Sequence, residues 1–362
     1  MFSPPIFSIY EISFKIIPIV NLLISNYNIF IDFYLENNWN YYIMINYGKL
    51  VLYGGIHQDA LEKAQQNGFE KIVEIKPGDL SSLEAEICDA EALALRYLVV
   101  TNEIINKADK LKLVSRHGVG TDNIDLQLLT KKKIPVWITG DVNSNSVAEH
   151  AFSLMSATAK SLVSANRLVQ SEQFSMREDI AATDIAGKTL LIVGYGRIGK
   201  RLAKLVSGFE MEIIVCDPFT QNLEGVEQVE LNEGLARADF VSLHIPSTGK
   251  PLICKDQLKQ MKSNAIIVNT SRGDLINLND LGWALNTNQI SGVGLDVFPK
   301  EPPEFHPLFV HPRVSLSPHS AAMTDDCMKR MGNVTIENIV RGLSGDLDQS
   351  LIANARELGI VE

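Results

Sequence analysis

The sequence predicts an α/β protein built from two doubly wound, parallel-sheet lobes, and three observations carry that expectation. Short apolar runs recur in two separate series, helical or turn-rich stretches separate them, and the second series opens on a strand that enters a glycine-rich turn and a helix. Apolar strands alternating with helices are what a parallel sheet covered on both faces requires. The first series reads as strands at Leu50–Tyr53, Ile72–Ile75, Ala92–Leu95, Leu111–Ser115 and Val136–Ile138. The second reads as strands at Thr189–Val193, Glu212–Cys216, Phe240–His244, Ala265–Asn269, Gly292–Val297 and Val314–Ser317. Each run is too short for a helix and is bounded by turn residues. Helical spacing is clear at Arg197–Phe209 and Leu278–Asn286. Between the two series lies Ser146–Gln170, which contains neither Pro nor Gly, so one rigid linking helix is expected. A last helix at Met323–Leu343 follows the final strand and is expected to return to the first lobe.

A chain of 362 residues with 46% hydrophobic and 21% charged residues has room for two such lobes and excludes a disordered or low-complexity protein. Its net charge of −10 argues against a nucleic-acid partner, which a basic surface would serve. Cys88, Cys216, Cys254 and Cys327 form no CxxC pair and no histidine stands at ligand spacing, so neither a metal site nor a disulfide framework is expected, and a cytoplasmic location fits.

Residues 1–48 differ in texture, with 6 of the 9 tyrosines by position 47. The uncharged run Ile16–Ile31 contains Pro18, Asn21, Asn26 and Asn28 and is too short and polar to span a membrane. No basic start or small-residue cleavage site marks a signal peptide. This stretch is expected to be an atypical extension, a loose tail or sequence upstream of a start at Met44.

The strand Thr189–Val193 enters Gly194-Tyr195-Gly196-Arg197-Ile198-Gly199, and Asp217 follows the next strand 18 residues beyond Gly199. A lone G-x-G-x-x-G is weak; this one stands between strand and helix, with an acid at the right distance. Gly194 permits the tight turn, Gly196 lets the backbone approach a pyrophosphate, and Gly199 allows close packing. The helix that starts at Arg197 and Ile198 offers N–H groups and its positive end to phosphates. Asp217 suits both hydroxyls of an adenosine ribose and repels a 2′-phosphate, so NAD is the expected cofactor.

Ligands of doubly wound sheets lie beyond the carboxyl ends of the strands. There the second series carries Asn269-Thr270-Ser271-Arg272-Gly273, then Leu295-Asp296-Val297-Phe298-Pro299-Lys300-Glu301-Pro302, then Ser317-Pro318-His319-Ser320. With the glycine motif, and in this order, these segments resemble the D-isomer-specific 2-hydroxyacid dehydrogenases from about Lys49 to about Gly345. The resemblance implies a flavodoxin-like substrate lobe, a Rossmann NAD-binding lobe, and Arg272, Glu301 and His319 as the catalytic set. The chemistry agrees. An imidazole exchanges a proton near neutral pH, a carboxylate fixes its tautomer, and a guanidinium holds a substrate carboxylate. Asp296 is expected to accept from the nicotinamide carboxamide. Thr270, His244 and Pro246 are expected as further cofactor walls, with His244 more structural than catalytic.

On the substrate side, Ser115-Arg116-His117-Gly118-Val119-Gly120-Thr121-Asp122 places glycines after a strand, where successive N–H groups form an anion nest. The resemblance assigns Val119 and Gly120 to the substrate carboxylate. Arg96, Arg116 and Asn143 match positions of phosphoglycerate dehydrogenases, so D-3-phosphoglycerate is the preferred substrate. Glyoxylate or hydroxypyruvate reduction is the alternative, and an NAD-sensing corepressor-like protein is the rival of another class. No serine-binding regulatory module is expected beyond Leu343, and a homodimer formed through the nucleotide lobe is implied by the resemblance. The expected division is 1–48 extension, 49–143 with 320–350 substrate lobe, and 144–319 nucleotide lobe.

Overall fold

The computed structural model describes residues 29–30, 44–96, 98–220 and 225–361. Most of the N-terminal stretch, about which the sequence suggested a loose extension, lies outside them. What is described there is a short antiparallel pairing of β1 (Ile29–Phe30) with β2 (Met44–Ile45).

Two parallel sheets organise the rest. The first has five strands in the order β4-β3-β5-β6-β7: β3 (Tyr47–Tyr53), β4 (Phe69–Ile75), β5 (Ala90–Leu95), β6 (Leu113–Arg116) and β7 (Val136–Trp137). Its crossovers carry α1 (Gln58–Gln66), α2 (Leu80–Glu86), α3 (Asn102–Lys107) and α4 (Leu126–Lys131). The second has seven strands in the order β10-β9-β8-β11-β12-β13-β14. These are β8 (Thr189–Val193), β9 (Glu212–Cys216), β10 (Glu227–Gln228), β11 (Phe240–Leu243), β12 (Ile266–Asn269), β13 (Gly292–Leu295) and β14 (Val314–Leu316). The order switches direction between β8 and β11, the place where doubly wound sheets form a crevice at the carboxyl ends of their strands.

Period-two alternation explains why both faces are covered. In β8, Leu190 and Ile192 join one apolar layer and Leu191 and Val193 the other. In β3, Leu50 and Leu52 face one layer while Val51 and Tyr53 face its opposite. All of these side chains are buried, and each stabilises the fold by roughly 1.5–3 kcal/mol for a fully buried aliphatic. Strand β10 has only two exposed residues, and no apolar run in the sequence announces it.

The second lobe is covered by α7 (Arg197–Val206), α8 (Leu231–Arg237), α9 (Lys255–Gln260) and α10 (Leu278–Asn286). It is also covered by α5 (Ser144–Ala159), which packs on α7, β12, β13 and β14. The single linking helix expected over Ser146–Gln170 is instead two. Ser161 takes φ 50°, a left-handed conformation that ends α5, and α6 (Leu162–Gln170) starts afresh. A hydroxyl bond from Ser161 to the Ala181 carbonyl and an ion pair of Lys160 with Asp184 hold the break. Neither Pro nor Gly is needed for it.

Helix α11 (Asp325–Leu343), capped by the Thr324 hydroxyl, packs on α1, β5, β6 and β7 of the first sheet. Close packing there requires small residues: a Cβ on Gly342 would collide with Leu113 and Trp137, and Trp137 is fully buried. The chain beyond 350 belongs to this lobe too. Ile138 N–H donates to the Leu351 carbonyl and Ala353 N–H to the Val136 carbonyl, while buried Asn354 accepts from Val136 N–H.

Candidate active site

The glycine turn after β8 has the properties a dinucleotide requires. Gly194 takes φ 93°, and a Cβ on it would strike the His244 carbonyl at the end of β11. A Cβ on Gly199 would strike the Gly194 carbonyl, so helix and strand approach as closely as backbone allows. Gly196 is exposed with open space where its Cβ would stand, and as N-cap of α7 it has no side chain to satisfy the first N–H groups. Arg197 and Ile198 open that helix, Arg197 exposed and Ile198 partly buried.

Asp217, beyond β9, accepts from Tyr195 N–H at 2.7 Å and from Phe219 N–H at 2.9 Å. Burial works against its charge, but these donors and Thr220 outweigh it and hold the carboxyl below its ordinary range. At the neighbouring strand ends, Thr270 Oγ1 and His244 Nδ1 are buried polar atoms with no hydrogen-bond partner among the described residues. His244 Nε2 lies 2.8 Å from Ser242 Oγ, and Pro246 is exposed. An open cradle, a bare helix N-terminus and orphaned polar atoms together fit a nicotinamide dinucleotide.

Next to this cradle, β12, β13 and β14 are adjacent in the sheet, and the loops after them carry Arg272, Glu301 and His319. His319 Nδ1 and Glu301 Oε2 are 2.6 Å apart. The other Glu301 oxygen accepts from Phe298 N–H at 3.0 Å. Burial disfavours the Glu301 charge, yet the imidazole and this N–H prevail and its carboxyl is held low. An ionised Glu301 calls for the proton on Nδ1 and leaves Nε2 for exchange, a tautomer assigned from the bonding.

His319 takes φ 50°, a conformation costly for a non-glycine residue. Asp296 holds it there. The main-chain carbonyl of Asp296 accepts from His319 N–H at 2.7 Å, and its fully buried carboxylate accepts from Ser320 N–H, Ala321 N–H and Ser317 Oγ. His150 Nε2 reaches Ser317 Oγ at 2.7 Å and completes the chain of bonds. Burial opposes the Asp296 charge and these donors override it. Asp296 was expected to meet the carboxamide of the cofactor; in this conformation its oxygens are instead committed to the loop that presents His319.

The loop after β6 comes from the other lobe. Among the described residues, the N–H groups of Val119 and Gly120 make no hydrogen bond within the chain. Arg272 reaches across to this loop. Its Nε donates to Asp122 Oδ2 at 2.9 Å, its Nη2 stands 2.8 Å from the same oxygen in an ion pair, and its Nη1 donates to the Ser271 carbonyl at 2.7 Å. Gly120 must be glycine for this, since a Cβ would collide with the guanidinium. Asp122 loses some charge stability to burial, but Arg272 more than compensates and lowers its carboxyl.

Arg116, expected at the rim, turns back on its own loop and donates to the Gly120 and His117 carbonyls. Arg96 is half-buried near His117. Burial, then the positive charge of Arg96, pushes the His117 imidazole down to about 4. Asn143 is the N-cap of α5 and makes no side-chain cap bond. Sequence reading gave Asp122 and Ser317 no role of their own and took His150 for a structural or rim residue; each makes its contact with a residue far away in the chain.

A dinucleotide cradle flanked by a carboxylate-paired histidine and an arginine, at the carboxyl ends of parallel strands, defines a nicotinamide-dependent oxidoreductase of two α/β lobes. Comparison with known proteins narrows the class. Residues 152–321 match the family described as D-isomer specific 2-hydroxyacid dehydrogenase, NAD binding domain. The D-3-phosphoglycerate dehydrogenase of Methanocaldococcus jannaschii is 37% identical over 313 residues, covering 84% of this chain and 59% of that protein. The glyoxylate reductase of Thermococcus litoralis is also 37% identical, over 265 residues, covering 70% of this chain and 80% of that protein. The chain thus spans more than half, but less than two thirds, of the first of these relatives. Among solved structures, the TT0316 protein from Thermus thermophilus superposes with a TM-score of 0.77 at 29% identity, covering 82% of this chain and 97% of that one. The D-lactate dehydrogenase from Aquifex aeolicus, complexed with NAD and lactic acid, gives 0.73 at 27% identity, covering 84% and 98%. This chain belongs to the D-isomer-specific 2-hydroxyacid dehydrogenase family, oxidoreductases that act on CH–OH donors with NAD(P).

Among the described residues no helix is long and apolar enough to cross a membrane, and no cluster of three metal-ligating side chains exists.

Proposed function

We propose that this protein interconverts a small D-2-hydroxy acid and its 2-oxo acid with NAD. The His319–Glu301 pair carries the proposal: a 2.6 Å contact to an ionised carboxylate leaves one imidazole nitrogen to exchange the proton of the substrate C2 oxygen. The bound dinucleotide supplies or accepts the hydride at C2. Gly194, Gly196, Arg197, Ile198 and Gly199 would hold its pyrophosphate, and Asp217 its ribose, while His244, Pro246, Thr270 and Asp296 line the same end of the lobe. Asp217 favours NAD, because its two oxygens already collect N–H donors and a 2′-phosphate would meet their charge. Val119 and Gly120 hold the substrate carboxylate with Arg272, whose guanidinium also stabilises charge on the C2 oxygen.

D-3-phosphoglycerate is the proposed substrate, with Arg96 and Arg116 receiving its phosphate and Asn143, the N-cap of α5, as a further substrate contact. The commitment of Arg116 to two carbonyls supports a second reading, an unphosphorylated acid such as glyoxylate or hydroxypyruvate. The enzyme is proposed to act as a homodimer joined through the nucleotide lobe and to reside in the cytoplasm. Oxidation of NADH is followed with 3-phosphohydroxypyruvate, hydroxypyruvate and glyoxylate, in wild type and in Arg96→Ala. A selective loss on the phosphorylated acid supports the first substrate; equal losses refute it. His319→Ala is expected to lower turnover by roughly 10²–10⁴-fold while NADH still binds. Loss of NADH binding instead would refute the assignment of His319.

A further inference from the structure

Arg272 stands on a loop of the nucleotide lobe, and the carboxylate that grips it comes from the substrate lobe, 150 residues earlier in the chain. A guanidinium has five N–H groups in a fixed plane. The edge formed by Nε and Nη2 is taken by Asp122 Oδ2 at 2.9 and 2.8 Å. One Nη1 proton goes to the Ser271 carbonyl at 2.7 Å. What remains is one N–H on Nη1 and one on Nη2; with Ser271 on the Nη1 proton nearest Cδ, these two lie side by side on the end-on edge. That is the two-donor fork which matches a carboxylate. Gly120 lies against Nη2, and the N–H groups of Val119 and Gly120 make no hydrogen bond among the described residues. Gly120 has no Cβ, and so allows the guanidinium to lie against this stretch.

We propose that Asp122 is a positioning residue for Arg272: it holds one edge of the guanidinium so that the end-on fork is presented to the substrate carboxylate. This rests on the functional reading above and adds a residue to it. Because the two partners belong to different lobes, the fork is set only when the lobes stand together. An arginine without this restraint would spread over many rotamers, and ordering it would weaken substrate binding and slow the reaction.

Steady-state kinetics with NADH and the best 2-oxo acid, alone and in a double-mutant cycle, test the idea. Asp122→Ala is expected to lower kcat/KM by about tenfold or more, and Asp122→Asn, which keeps one acceptor oxygen, by less. NADH affinity, read by its fluorescence, should not change. Oxamate, an unreactive substrate-shaped anion, should bind the NADH complex of Asp122→Ala more weakly. In an Arg272→Ala background the Asp122→Ala change should cost about twofold at most, because nothing is left to position. An active wild type whose Asp122→Ala variant keeps its kcat/KM and oxamate affinity overturns this inference alone. So does an equal loss in both backgrounds. A wild type inert toward every 2-oxo acid overturns the functional reading, and this inference with it.

Discussion

His117 sits in the loop that carries Val119 and Gly120 and is 4% exposed. Burial and the nearby Arg96 lower its pKa from 6.5 to about 4. Between those values the unfolded chain takes up a proton that the folded chain refuses. Stability is therefore complete above 6.5 and is lost as the pH falls toward 4. For one such group the loss on going from pH 7 to pH 5 is about 2 kcal/mol. Replacing His117 with Leu removes that proton from the balance, whereas His244, also lowered to about 4, contributes equally to both proteins and cancels. Urea unfolding at pH 7 and pH 5 measures the difference. Trp137, fully buried in the substrate lobe, serves as the fluorescent reporter once Trp39 and Trp283 are changed to Phe. Wild type should lose about 2 kcal/mol more than His117→Leu over this interval. Losses that agree within about 0.5 kcal/mol would show that His117 is not held neutral by its surroundings.

Much of this architecture was legible because a buried parallel strand has a plain signature. The runs Thr189–Val193 and Glu212–Cys216 coincide with β8 and β9, and the glycine motif between them has the required turn. Order along the chain also placed Arg272, Glu301 and His319 on three neighbouring strand ends. What stayed hidden depends on contacts between distant segments. The break at Ser161 comes from a left-handed residue and bonds to 181 and 184, and a helical pattern without Pro or Gly conceals it. Burial of Asp296 among the Ser317, Ser320 and Ala321 donors cannot be read from a strand-end aspartate. Nor does local sequence reveal that Arg116 folds onto its own loop or that Asp122 meets Arg272.

Two further outcomes follow from the cofactor end of the site. Gly196→Val puts a side chain into open space, so thermal stability should hold while NADH affinity falls sharply. A parallel fall in melting temperature would mean that the glycine serves packing rather than approach by a phosphate. The second concerns choice of cofactor. Asp217 has a depressed pKa because Tyr195 and Phe219 N–H groups, with Thr220, outweigh its burial, so it is charged at neutral pH, and it is the residue proposed to meet the cofactor ribose. A 2′-phosphate brought there meets a like charge that no adjacent cation offsets, since Pro218 and Phe219 follow directly. Asp217→Ser removes the repulsion and keeps a short hydrogen-bonding side chain. The ratio of NADH to NADPH affinity, measured by fluorescence titration, should then shrink by about tenfold, the ratio that about 1.4 kcal/mol of lost discrimination corresponds to. NADPH binding should gain most at low salt, where screening is weakest. A ratio that stays constant while both affinities fall would mean that Asp217 organises the glycine turn through Tyr195 and leaves selection of the coenzyme to other groups.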